Sequence, residues 1–207
     1  MVYKKLQSIK SLADKGLNVH NYVATKNTEE IKQVVRDFGY VCTIRTDSLK
    51  SEYKLPFYVI KDRAVDLGKI CKEIESKDLL AIVTNGLRYD KHLRYNFVYT
   101  LERNGDFWIE YSKENCPLRK MYEKPMNCYI GNIDEGVGDW VVIRETDDRV
   151  DKREISWLLR RMWDKCIFGK YVEASIYNEK CGIYDEDIVF WQILNKSEKE
   201  KSLFRLT

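Results

Sequence analysis

Long apolar stretches are missing from this sequence, and their absence excludes several classes of protein. There is no run of about 18 apolar residues, which a membrane-spanning helix requires. The opening residues MVYKKLQSIKSLADKG contain no apolar core of the kind found in secretory signal peptides. We therefore expect a protein of the cytoplasm that has no membrane partner.

Side chains that commonly bind zinc are few and scattered. The sequence has 2 histidines, His20 and His92, and 6 cysteines, none of which form a CxxC pair. This spacing argues against a zinc site. We expect the cysteines to be reduced thiols that are mostly buried. A Cys–His nucleophilic pair is disfavoured but stays open as an alternative.

Familiar catalytic motifs are also absent. The sequence has no Walker loop, no GxGxxG, no HExxH and no GxSxG. The net charge of +3 is too small to indicate nucleic acid as a partner. The 14 tyrosines and 5 tryptophans could stack on bases. Because most of them alternate with apolar residues in predicted strands, a core role explains them more simply, so nucleic acid is a possible partner that is not favoured.

Hydrophobic periodicity predicts an α+β fold. Helical spacing marks the ranges Val2–Lys15, Asn27–Phe38, Val65–Ser76 and Asp151–Phe168. Strand patterns mark Leu17–Ala24, Tyr40–Thr46, Leu55–Lys61, Leu79–Thr84, Asn96–Arg103, Asp106–Ser112, Cys128–Ile130 and Trp140–Arg144. We expect two lobes, residues 1–84 and 85–207, with mainly antiparallel sheets flanked by helices.

The range Tyr171–Leu194 predicts two further strands joined by a turn. Alternation puts Glu173, Ser175 and Tyr177 on one face of the first strand, and groups Gln192 with Ile188 and Phe190 in the second, opposite Val189, Trp191 and Ile193. Such a ribbon would hold Glu173 and Gln192 at matching depths, with Asp187 at one end of the ribbon. It could hold a metal–phosphate group. The alternative is an ordinary sheet with a solvated polar face.

Arg45 is the second candidate for chemistry, in the motif IRTDS. An arginine at the end of an otherwise apolar strand is costly to bury unpaired, so it either meets a carboxylate or serves an anionic ligand. Its planar guanidinium suits phosphate oxygens, and Thr46 and Ser48 would add hydroxyls beside it. A salt bridge to Asp47 or a surface position is the alternative.

The order of these elements resembles the ATP-grasp nucleotide-binding fold, especially the N-terminal domain of phosphoenolpyruvate synthase and pyruvate phosphate dikinase. The resemblance is carried by Gly16–Val19, Ile44–Ser48, Leu79–Leu87 and Tyr171–Leu194. The chain also departs from the family's pattern: His20 replaces a proline, Leu49–Lys54 lacks the glycines of a phosphate loop, and Gln192 replaces the last metal-binding glutamate.

The resemblance implies Mg-ATP binding between the lobes and phosphoryl transfer to a carboxylate or similar acceptor. Arg45 and Lys61 would be catalytic, and Arg45 would converge with the acids of the final ribbon. The nucleotide would contact Lys10, Arg45, Thr46, Ser48, Thr84 and Asn85, and magnesium would contact Glu173, Asp187 and Gln192. The alternative is a non-catalytic module on the same scaffold that binds nucleic acid or a protein. The absent glycine loop and Gln192 favour that alternative.

Overall fold

The structure, a computed structural model, describes residues 2–50, 55–85, 93–112, 127–136, 139–144, 152–165, 167–177 and 188–194. Four α-helices and two sheets lie in these ranges, and all strand pairs described there are antiparallel. The predicted α+β class is confirmed. The chain divides into two compact units, Met1–Ser11 with Val19–Lys91, and Leu12–Asn18 with His92–Thr207.

The first unit contains a four-stranded sheet in the order β1-β4-β2-β3. Its strands are β1 (Tyr22–Thr25), β2 (Cys42–Asp47), β3 (Phe57–Ile60) and β4 (Leu80–Thr84), and its helices are α2 (Thr28–Asp37), α3 (Leu67–Ser76) and the first part of α1 (Lys4–Asp14). One side of the sheet shares a core with α2 and α3, formed chiefly by Ile31, Val35, Cys42, Ile44, Ile60, Ile74 and Val83. On the other side, Ile9 of α1 joins Leu80 and Ile82.

Local side chains decide where these elements begin. Asn27 accepts hydrogen bonds from the amides of Glu29 and Glu30, at 2.9 and 3.2 Å, so the predicted start of α2 is confirmed. Strand β2 begins two residues later than predicted. Gly39 and Tyr40 have φ angles of 67° and 59°, which lie outside the strand region.

The second unit contains a six-stranded sheet in the order β10-β9-β5-β6-β7-β8. Its elements are β5 (Leu93–Leu101), β6 (Asp106–Ser112), β7 (Asn127–Asn132), β8 (Val141–Arg144), α4 (Lys152–Asp164), β9 (Tyr171–Tyr177) and β10 (Ile188–Leu194). The predicted hairpin of β5 and β6 is confirmed, and Gly105 in its turn has a φ of 91°, a conformation suited to glycine. Helix α4 ends at Asp164, four residues before the predicted end.

The two sides of this second sheet differ in chemistry. Tyr95, Phe97 and Tyr111 face α4 and line a cavity of about 20 Å³ together with Ile155 and Leu158 of that helix. This volume is enough for about one water molecule. The opposite side carries Asn96, Val98, Glu110, Glu173 and Ser175 as register partners on neighbouring strands. We call this side the polar face.

Two further features of the fold concern membrane-spanning helices and cysteines. In the part of the chain that is described, no helix is long and apolar enough to cross a membrane. Cys42, Cys71 and Cys128 are buried free thiols, as expected, while Cys116 and Cys166 fall outside the described residues, as does Cys181. Burial raises the pKa of Cys42 to about 11, which makes that thiol a poor nucleophile at neutral pH.

Candidate functional site

Strands β9 and β10 form the predicted antiparallel ribbon, but with an irregularity that alternation did not predict. Val189 is paired with Ser175 and Phe190 with Ala174, whereas the next pair is Gln192 with Glu173. Trp191 is therefore the extra residue of a β-bulge. The prediction that Glu173 and Gln192 lie at matching depths is confirmed. The prediction that Gln192 shares a face with Ile188 and Phe190 is wrong, because the bulge shifts the pattern by one residue.

The bulge places an amide directly beside a buried carboxylate. Glu173 is only 3% exposed, and its Oε2 atom accepts a hydrogen bond of 2.7 Å from Nε2 of Gln192. A carboxylate removed from water in this way is stable only if donors compensate for the lost hydration. Gln192 is one such donor, so the two side chains form a single polar unit of the polar face.

A second buried carboxylate lies on the same face. Glu110 of β6 is 1% exposed, and Val98 of β5 is the register partner of both Glu110 and Glu173. The two glutamates are thus two strands apart, or about 10 Å between Cα atoms. Sequence reasoning missed Glu110. Its signal was a charged residue inside the apolar strand pattern DFWIEYS, at a position that alternates with Trp108 and Ser112.

A chain of hydrogen bonds crosses three strands next to these acids. Nε1 of Trp191 donates to Oγ of Ser175 at 2.6 Å, and Oγ of Ser175 donates to Oδ1 of Asn96 at 2.5 Å. Ser175 and Asn96 are both buried, and they are register partners on β9 and β5. The chain fixes the indole of the bulge residue to the body of the sheet.

The donor atoms of the polar face suit magnesium. Glu173 offers carboxylate oxygens and Gln192 an amide oxygen, and Mg²⁺ prefers oxygen ligands, of which proteins usually supply only one or two carboxylates. Within the ranges that the structure describes, no three His, Cys, Asp or Glu side chains are grouped as a metal site. Asp187, the third predicted ligand, lies outside these ranges.

Arg45 lies in β2, on the α1 side of the first unit's sheet. The sequence pattern had placed it at the end of a strand. It is half-buried, and its register partners on the neighbouring strands are Phe57 of β3 and Ile82 of β4. On the same side, two residues along β2 and β4, the hydroxyls of Thr43 and Thr84 are 2.7 Å apart. The structure therefore brings Arg45 and Thr84 to the same side of one sheet.

His20, which the sequence analysis did not connect with Arg45, is the electrostatic neighbour of that arginine. Burial, and to a smaller extent the positive charge of Arg45, together lower the pKa of His20 to about 4. His20 is therefore neutral at physiological pH.

Asn85, the residue after Thr84, has a buried Oδ1 atom that accepts no hydrogen bond from any residue in the described ranges.

The remaining predicted residues are held by other contacts. Thr46 points to the opposite side from Arg45 and donates to the carbonyl of Pro56 at 2.6 Å, and the Ser48 hydroxyl accepts from the amide of Lys50. The carboxylate of Asp47 accepts from the amides of Lys5 and Leu6, at 2.7 and 3.1 Å. That carboxylate therefore caps the N-terminus of α1.

Lys10 and Lys61 are exposed, on α1 and directly after β3 respectively. Arg45 belongs to the first unit and Glu173 to the second, and the convergence of Arg45 with the acids of the ribbon stays a prediction. The assignments of individual residues to nucleotide, metal and catalysis stay predictions as well.

Comparison with known proteins identifies the fold. No family model and no curated protein matches the sequence. Among solved structures, N5-carboxyaminoimidazole synthetase from Staphylococcus aureus in complex with ADP is similar with a TM-score of 0.55 and 14% identity, over 94% of this chain and 46% of that one. The ADP complex of PurK, an N5-carboxyaminoimidazole ribonucleotide synthetase, gives 0.53 and 11%, over 93% and 44%.

A third similar structure carries the name of the superfamily. The RimK domain ATP-grasp protein from Sphaerobacter thermophilus gives a TM-score of 0.51 and 11% identity, over 99% of this chain and 64% of that one. The fold is therefore similar to that of these three proteins, one of which is an ATP-grasp protein, in agreement with the sequence resemblance. The chain spans about half the length of the solved structures that it matches. The narrower resemblance to phosphoenolpyruvate synthase stays a prediction.

Proposed function

We propose that this protein binds Mg-ATP at the polar face of its second unit and uses it for carboxylate ligation. The observation that carries the proposal is the buried pair of Glu173 and Gln192, joined at 2.7 Å on an ATP-grasp fold. A buried acid on an antiparallel sheet is uncommon unless it is paired or serves a ligand. Two of the similar solved structures are ADP complexes, which supports a nucleotide as the ligand.

Each residue would have a simple physical role. Glu173, Gln192 and Asp187 would hold the magnesium ion, which neutralises phosphate charge when it is bound. Gln192 also orients the carboxylate of Glu173 through its amide hydrogen bond. Arg45 would bind phosphate oxygens through its planar guanidinium, with Thr84, Asn85 and Ser48 as further polar contacts and Lys10 and Lys61 as additional positive charge. Thr46 is not among these contacts, because it is buried on the opposite side of the sheet and donates to the Pro56 carbonyl.

Catalysis on these terms consists mainly of positioning and charge neutralisation. The acceptor would be a carboxylate whose oxygen attacks the γ-phosphorus, forming an acyl phosphate and releasing ADP. A nucleophile then displaces phosphate from the acyl carbon. Phosphotransfer to another acceptor and a cytoplasmic location stay predictions.

The test is to measure the affinity for ATP by calorimetry, with and without magnesium. We expect wild-type protein to bind ATP more tightly when magnesium is present. Glu173→Gln keeps the shape of the side chain but removes its charge and replaces one acceptor oxygen with an NH2 donor. The ratio of the ATP affinities with and without magnesium should therefore fall about tenfold or more. Glu29→Gln, at an exposed position of α2, is the matched control and should bind like wild type. Equal magnesium dependence in Glu173→Gln and wild type would reject the role of Glu173.

One observation favours a second candidate, a non-catalytic module that binds nucleic acid or a protein. Gln192 is neutral where the ATP-grasp resemblance expects a metal-binding glutamate, and an amide is a weaker ligand for magnesium than a carboxylate. Thermal shift separates the two candidates. Stabilisation by ATP that requires magnesium supports the ligase, whereas stabilisation by an oligonucleotide that weakens with salt supports the module.

A further inference from the structure

The bulge at Trp191 determines which residue lies beside Glu173. If β10 alternated without interruption after Phe190, Trp191 would be paired with Glu173 and Gln192 with Val172. Val172 is fully buried and is paired with Tyr99, on the side that faces α4. Without the bulge, the amide of Gln192 would point into an apolar core instead of toward the carboxylate.

The bulge residue is held by a contact that runs across the sheet. The indole nitrogen of Trp191 donates to Ser175, and Ser175 in turn donates to Asn96 on the next strand. Ser175 is fully buried, so an indole that left it would leave a buried hydroxyl with one hydrogen bond fewer. The hydrogen bonds from Trp191 to Ser175 and from Ser175 to Asn96 therefore stabilise the bulged register relative to the regular one.

We propose that Trp191, Ser175 and Asn96 are positioning residues for the ligand site, because they hold the bulge that brings Gln192 to Glu173. The proposal rests on the proposed function for its ligand, Mg-ATP. Loss of these two hydrogen bonds lets the regular register compete. In that register, Trp191 replaces Gln192 beside Glu173. The three residues thus act through Gln192 and need no contact with the nucleotide.

The first experiment monitors the strand register of β10 against β9 in the absence of nucleotide. In Ser175→Ala, we expect the side-chain amide resonance of Gln192 and the indole N–H resonance of Trp191 to move in NMR spectra. Trp191→Phe identifies the indole signal and removes the N–H donor while keeping a smaller aromatic ring, so it serves if Ser175→Ala folds poorly. Thr100→Ala removes a hydroxyl from the same face and should leave the Gln192 signal in place. An unmoved Gln192 signal in both Ser175→Ala and Trp191→Phe would overturn the proposal.

The second experiment measures Mg-ATP affinity in a double-mutant cycle. Ser175→Ala should weaken binding about tenfold. Deletion of Trp191 removes the extra residue, so Gln192 follows Phe190 directly and remains opposite Glu173. Binding should then be retained, and Ser175→Ala should have no further effect in that background. An equal loss in both backgrounds would overturn the proposal. Wild-type protein that binds no Mg-ATP would refute the proposed function, and the NMR signals would still decide the register.

Discussion

The most informative single substitution is Gln192→Glu, which places a second carboxylate beside Glu173. The present separation of 2.7 Å between Nε2 of Gln192 and Oε2 of Glu173 becomes a contact between two acids. Two like charges at about 4 Å repel by about 4 kcal/mol when the effective dielectric constant is about 20. One of the two carboxyls therefore takes up a proton, and its pKa rises above the value in the unfolded chain.

This coupling makes the stability of the variant depend on pH. A carboxyl whose pKa is raised on folding stabilises the protein below its unfolded pKa, and that stability is lost as the pH rises through the folded pKa. At pH 8 we expect a loss of about 2 to 3 kcal/mol, or about 4 to 12 °C in Tm for a chain of this size. At pH 5 most of the loss should disappear.

Magnesium should restore the variant, because a cation between two carboxylates removes the repulsion. The assay is thermal unfolding at pH 5 and pH 8, with and without magnesium chloride. Gln7→Glu, at an exposed position of α1, is the matched control and should change Tm by little under all four conditions. A Gln192→Glu protein with the Tm of wild type at pH 8, or one that magnesium does not stabilise, would refute the placement of Gln192 beside Glu173.

Three further predictions concern other residues. Arg45→Ala should abolish nucleotide binding in calorimetry while the fold stays intact by circular dichroism, and unchanged ATP affinity would remove Arg45 from the site. Because the pKa of His20 falls from 6.5 to about 4 on folding, the unfolded chain binds the extra proton between these values, so stability should decline by up to about 3 kcal/mol as the pH falls through that window. His20→Asn should flatten the decline in urea titrations, and an equal slope in both proteins would contradict the assignment. The Tyr99 hydroxyl is fully buried and has no hydrogen-bond partner among the described residues, so Tyr99→Phe should leave stability unchanged or raise it by up to about 1 kcal/mol, and a clear loss in chemical denaturation would show that the hydroxyl is bonded.

The parts of the fold that were predicted correctly have local causes. The start of α2 depends on Asn27 and the two amides that follow it, and the hairpin of β5 and β6 depends on Asn104 and Gly105 in its turn. Alternation along β9 gave the correct face for Glu173 and Ser175. Such features are set within a few residues of sequence, which periodicity and capping rules describe well.

The parts that were missed have distant causes. Ser175 and Asn96 are 79 positions apart, and the bulge at Trp191 depends on their contact. No rule of alternation contains that information, so Gln192 was placed on the wrong face of β10. In the same way, the low pKa of His20 depends on burial and on Arg45, which a single linear pattern does not bring together.

The glutamine beside Glu173 has a consequence for the state of the protein without metal. A buried pair of glutamates would need a proton or a cation to be stable, because two desolvated negative charges cannot both persist at short distance. Gln192 instead donates a hydrogen bond of 2.7 Å to Glu173, so the Glu173 carboxyl has a hydrogen-bond donor as its partner in the absence of any ion. Compared with a glutamate at this position, Gln192 leaves the proposed magnesium site with one negative charge fewer, which would weaken its attraction for magnesium. At the proposed magnesium site, Gln192 would therefore stabilise the metal-free state and make metal binding depend more strongly on the phosphate groups that arrive with the ion.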